Sequence, residues 1–123
     1  MNAYALAQRG YAATSGPTRS DRSTEYDVIA RITARLKRAM TGDSFPDLAA
    51  ALHENRQLWR VLAVDVADAG NSLPKDLRAR LFYLAEFTEH HSRLVMRKQA
   101  TAAPLIEVNT AILRGLKQEG GAM

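Results

Sequence analysis

ALHENRQLWRVLAVDVADAGNSL, from Ala51 to Leu73, is the stretch that decides how the rest of this chain is read. Counting back to Leu48, apolar residues stand at Leu48, Leu52, Trp59, Leu62, Val66 and Ala69, spaced so that they share one face of an α-helix. Asn55 is the one polar interruption of that stripe. Gly70 and Asn71 both tolerate left-handed backbone, and Pro74 continues only as the first turn of a new helix. The segment therefore predicts helix, tight corner, helix.

Working upstream, TEYDVIARITARLKRAM from Thr24 to Met40 carries Tyr26, Ile29, Ile32 or Thr33, Leu36 and Met40 on one stripe. Glu25 and Asp27 stand in its first turn and Lys37 and Arg38 near its last, the polarity a helix dipole favours. Thr41-Gly42 ends this helix, and Asp43-Ser44 with Pro46 and Asp47 starts the central one. So short a connection predicts antiparallel neighbours. Further upstream, residues 13–23, mostly the Ser-, Thr-, Gly- and Pro-rich TSGPTRSDRS, read as a linker. Beyond it, Ala3 to Ala12 predicts a short helix with Tyr4, Ala7 and Tyr11 on one side, tethered and in need of a surface to lean on.

Downstream, Pro74 to Lys98 carries Leu77, Leu81, Leu84, Thr88, His91 and Val95 as a seam and predicts a third long helix. Ala100 to Ala103 breaks the pattern. Pro104 opens PLIEVNTAILRGL, a last amphipathic helix over residues 104–117, and KQEGGAM beyond Leu116 reads as a frayed end. The expected architecture is all-α: a small helical bundle of three long helices over residues 24–99, with a tethered N-terminal helix and a separable C-terminal one. The three long helices are expected to share Ile32, Leu36, Leu52, Trp59, Leu62, Leu81 and Leu84 as a core, leaving the last helix free to form or close a partner groove.

The 123 residues fit one domain that buries roughly two thirds of its unfolded surface. There is no cysteine, which excludes disulfides, thiolate metal sites and a cysteine nucleophile. No cationic opening precedes a long apolar run, and nothing approaches the roughly 18 apolar residues of a membrane span. The expectation is a soluble, unexported, cytoplasmic chain without membrane insertion. The net charge of +4 raises the question of nucleic acid, but the basic residues fall on polar faces and near helix C-termini, where solvent and the dipole account for them.

Candidates for chemistry are few. Glu86, His90 and His91 have helical spacing but lack a third neighbouring ligand, so no metal or other cofactor is expected, and His91 falls on the seam where a hydrogen-bonded histidine fits. There is no Gly-x-Ser-x-Gly elbow and no loop cluster of acids, so no catalytic residue is assigned. Asp65, inside LAVDVA, reads as a partly buried acid paired with an arginine or with backbone N–H groups near the Gly70-Asn71 corner. Trp59 has two readings, a core residue or an anchor for a partner. Asn55 and Asn109 interrupt apolar stripes and read as an internal polar pair that fixes helix register. Arg56 is either a capping donor or a contact residue.

Several stretches in this order resemble the FlaF family of flagellar biosynthesis regulators: NAYALAQR from Asn2, TEYDVIARITARL from Thr24, ENRQLWRVLAVDVADAGNSLP from Glu54, LRARLFYLAEF from Leu77, and PLIEVNTAILRGL from Pro104. Asn-Arg-x-Leu-Trp, Asn-x-Leu-Pro and Pro-Leu-Ile-x-x-Asn carry most of the likeness. The resemblance implies a cytoplasmic accessory protein of flagellum assembly, not an enzyme, that binds flagellin and promotes its synthesis or secretion, acting opposite the repressor FlbT. Candidate partner-binding residues are Tyr4 and Tyr11 on the tethered helix, Asn55, Arg56 and Trp59 on the central helix, and Leu105, Ile106, Asn109, Ile112 and Leu113 on the last. An amphipathic partner helix in an apolar groove suits such a protein. The alternative is an RNA-binding regulator acting on the flagellin message through its Arg and Lys clusters, disfavoured because the aromatics fall mostly on helix seams rather than on stacking surfaces.

Overall fold

The computed structural model describes residues 21–121, which form four helices: α1 (Asp21–Thr41), α2 (Phe45–Ala67), α3 (Lys75–Met96) and α4 (Ala103–Gly121). No strand occurs among the described residues. The expected helix over Ala3 to Ala12 lies outside them. α1 begins at Asp21, three residues earlier than the sequence suggests. α4 runs past Leu116 to Gly121, because extending a formed helix adds one hydrogen bond per residue without needing side-chain contacts.

Each boundary has an identifiable cause. Ser44 caps α2, its hydroxyl oxygen accepting from the Asp47 amide at 3.2 Å, and Pro46 occupies the first turn, where no N–H is required. The corner between α2 and α3 differs from expectation. Neither Gly70 nor Asn71 has left-handed backbone. Side chains build the turn instead: Asp68 Oδ1 accepts from the Gly70 amide at 2.9 Å, and Asn71 Oδ1 accepts from the Leu73 amide at 2.9 Å. Asn71 Nδ2 also donates to the Asp65 carbonyl, and Arg78 reaches back from α3 to the Val66 and Asp68 carbonyls at 2.9 and 2.8 Å. The Asp65 and Asp68 carbonyls also accept backbone amides, from Asp68 and Asn71, so side chains and backbone together satisfy the carbonyls at this helix end. Pro74 stands as the residue before α3 rather than inside its first turn.

The left-handed residue is Lys98, with φ of 61°. The Lys98 amide donates to the Val95 carbonyl and the Gln99 amide to that of Leu94, the nested pair that closes a helix when the residue after it turns left-handed. Glycine usually fills that position. Here the lysine side chain lies over the Phe45 ring, its Nζ 5.0 Å from the centroid.

Around the bundle, α1 packs on α2 and α4, and α2 packs on α3, while α3 and α4 meet only briefly. No Cα of α2 lies within 8 Å of one of α4, so these two face each other diagonally. One apolar cluster joins Leu36, Ala51, Leu52, Val95, Ala102, Leu105 and Ile106, and a second joins Trp59, Leu62, Val66, Leu81 and Ala85. The expected core residues are buried apart from Leu84, which is half-buried. The core also extends beyond them: Leu105 on α4 is fully buried beside Leu36 and Leu52. α4 is thus a wall of the bundle, and deleting a side chain such as Leu105 to Ala removes about 2–5 kcal/mol.

Candidate functional site

Between the two apolar clusters lies a polar layer. On α2, Asn55 falls between Leu52 and Trp59; on α3, Thr88 and Ser92 fall between Ala85 and Val95; on α4, Asn109 falls between Ile106 and Ile112. All four polar side chains are essentially inaccessible. The Trp59 indole Nε1 donates to Asn109 Oδ1 at 2.9 Å, and Asn109 Nδ2 donates to Asn55 Oδ1 at 2.8 Å. These two bonds cross the diagonal that no backbone contact spans. The expected internal pairing of Asn55 with Asn109 is observed, and Trp59 is a core residue with its polar tip satisfied.

The layer is incompletely paired, since Asn55 Nδ2, Thr88 Oγ1 and Ser92 Oγ have no hydrogen-bond partner. Apolar side chains would pack there without that desolvation cost, so the layer favours one helix register at the expense of stability.

Above the layer, a hollow of about 180 Å³ between α2 and α3 reaches Trp59 and Thr88. Charged side chains guard it. Glu89 on α3 accepts from Arg60 Nε at 2.7 Å and from Arg56 through both Nε and Nη2. The Arg60 hydrogen bond, helped by Arg56 and by the charge of both guanidinium groups, holds the Glu89 carboxyl below its ordinary value despite the opposing effect of burial. The same hydrogen bond and charge raise Arg60. Arg56 is therefore neither a capping donor nor a free contact residue.

The other candidates divide clearly. Leu105 and Ile106 are in the lower core, and Ile112 and Leu113 are half-buried on α4. Asn55, Trp59, Leu105 and Asn109 lie in the interior, whereas Ile106 also reaches an outer hollow between α1 and α4. Tyr4 and Tyr11 lie outside the described residues. Asp65 is 8% exposed and makes no ion pair among the described residues, so the expected pairing with an arginine is not seen; the nearby Arg78 donates to the Val66 and Asp68 carbonyls. His91 donates from Nε2 to the Thr101 carbonyl at 2.8 Å and stacks on Phe87, which pins the corner between α3 and α4.

Sequence reasoning missed Glu89, because pairing across helices depends on an interhelical register that one-dimensional spacing does not carry. No group of three or more metal-ligating side chains occurs among the described residues, nor is any helix there long and apolar enough to cross a membrane.

The fold is a small all-α helical bundle whose buried polar residues tie its own helices together. The chain belongs to the FlaF family: the family model described as flagellar protein FlaF matches residues 7–116. That span includes all four helices up to Leu116 and the whole polar layer. No match to the chain was found among curated proteins or among solved structures.

Proposed function

We propose that this chain is a non-enzymatic, cytoplasmic accessory factor of flagellum assembly that binds flagellin and promotes its synthesis or secretion, in functional opposition to FlbT. The observation that carries the reading is the flagellar family match across residues 7–116. The interior supports it, because Asn55, Trp59 and Asn109 are hydrogen-bonded to one another across helices rather than arranged around a reacting atom. Exposed Leu77, Phe82 and Tyr83 on α3 and Val64 on α2 add apolar surface of the kind that protein partners cover.

Direct action on RNA is the second reading, and the net positive charge favours it. Nuclease-treated full chain, titrated with flagellin monomers and separately with flagellin message, tests the choice. Flagellin binding that changes little between about 50 and about 200 mM salt is the expected result; binding confined to the RNA and lost steeply over that range would overturn it.

A further inference from the structure

The seam between α1 and α4 carries two hollows on the outside of the bundle, of about 310 and 460 Å³, with Lys37 lining both. From Tyr26 to Thr41 they follow roughly 22 Å of helix, the length of about 15 residues of a partner helix. Small groups form the floor: Ala30, Ala34, Thr33 and Thr110. Both threonine hydroxyls turn back onto their own helices, Thr33 to the Ile29 carbonyl and Thr110 to the Ile106 carbonyl, each at 2.7 Å. Their hydrogen-bonding capacity is thus used internally, which makes the floor apolar in character and low enough for a helix to approach closely.

The rim is mainly basic. Lys37, Arg114 and Lys117 line the first hollow without an acidic residue, while at the second Lys37 and Arg38 stand beside one acid, Glu107. Lys37, Arg114 and Lys117 make no ion pair among the described residues, whereas Arg35, Arg56 and Arg60 do. The chain's own first 20 residues do not complement this rim, for they contain Arg9 and Arg19 and no acid. A second copy brings a net charge of +4. A nucleic acid finds one aromatic in the first hollow, Tyr26, and no stacking platform.

We infer that the α1–α4 groove docks an acidic amphipathic helix of a protein partner, its small apolar residues on the Ala30–Ala34–Thr110 floor and its carboxylates against Lys37, Arg114 and Lys117. The partner's identity rests on the flagellin reading; the chemistry of its docking segment rests on the groove.

The test compares the full chain with a Lys37→Glu/Arg114→Glu/Lys117→Glu variant, whose exposed substitutions leave the thermal transition in place. Three reversed charges should weaken flagellin binding at least about tenfold. If the parent binds flagellin and the variant binds within about twofold, the groove is wrong and the flagellin reading stands. If the parent binds no flagellin, that reading falls, and a helical Glu/Ala peptide of about 15 residues decides the groove. Amide shifts at Ala30, Ala34 and Thr110 with this peptide, and none with its Lys-for-Glu counterpart, support the inference. No shifts there, or an oligouridine that displaces the Glu/Ala peptide from the parent and fails to bind the variant, overturn it.

Discussion

Trp59 and Asn109 join α2 to α4 through a 2.9 Å hydrogen bond across a diagonal where no pair of Cα atoms comes within 8 Å. The bond therefore fixes the depth and rotation of α4 in a way backbone packing between these helices does not. Trp59→Phe keeps most of the ring but leaves Asn109 Oδ1 without its donor, so it should cost about 1–3 kcal/mol in urea unfolding. Trp59→Ala should cost about 3–5 kcal/mol.

The Asn55–Asn109 pair should behave as a unit. Asn109→Leu strands Asn55 Oδ1 and the Trp59 N–H, and Asn55→Leu strands Asn109 Nδ2, each at about 1–3 kcal/mol. The double variant strands only the indole N–H. Its cost should fall short of the sum of the singles by about 0.5–3 kcal/mol in a double-mutant cycle, whereas strict additivity would mean that the two amides do not interact.

The two helix ends make opposite predictions for glycine. At Gly70 the backbone is not left-handed, and an added Cβ meets only Asp68 Oδ1 at 3.6 Å, an ordinary contact. Gly70→Ala should therefore be neutral or stabilising by about 0.4–1 kcal/mol through the unfolded chain. At Lys98, glycine would relieve left-handed strain of about 1–2 kcal/mol while losing roughly 0.5–1 kcal/mol of contact with Phe45. Thermal melts should show Lys98→Gly within about 1 kcal/mol of the parent, unlike Lys98→Val, since a β-branched side chain is poorly tolerated at positive φ.

Glu89 gives the bundle an acid-sensitive clasp. Its folded carboxyl titrates below its unfolded value, so the stability it contributes is present above the unfolded value and disappears as pH falls through the folded one. Unfolding midpoints of the parent should drop across that acid window. Glu89→Gln should flatten this part of the profile, and an unchanged slope would remove Glu89 from the account.

Much of this fold is legible in the sequence, because three- and four-residue apolar spacing needs no tertiary information. The Ser44 cap is legible because Ser, Pro and Asp act on their own helix. Asn55 and Asn109 are visible as a pair only in the sense that each breaks an apolar stripe; the hydrogen bonds of Asn109 to Asn55 and to Trp59 depend on how α2 and α4 face. Lys98 is illegible because lysine has no preference for left-handed backbone, and the turn is imposed by the chain leaving α3. The Gly70-Asn71 corner misleads because Asp68, Asn71 and Arg78 satisfy the turn with side chains, so glycine's freedom goes unused. Periodicity shows that α4 has an apolar face, but not that Leu36 and Leu52 cover it.

That last point has the most direct test. Trp59 is the only tryptophan, so its fluorescence reports the junction of α2 and α4 without labelling. Truncation after Gln99 removes Leu105, Ile106 and Asn109 together. If α4 is a wall of the bundle, the truncated chain should show solvent-exposed tryptophan emission and no cooperative urea transition. Buried emission with the parent's unfolding midpoint would contradict the account and make α4 an appendage.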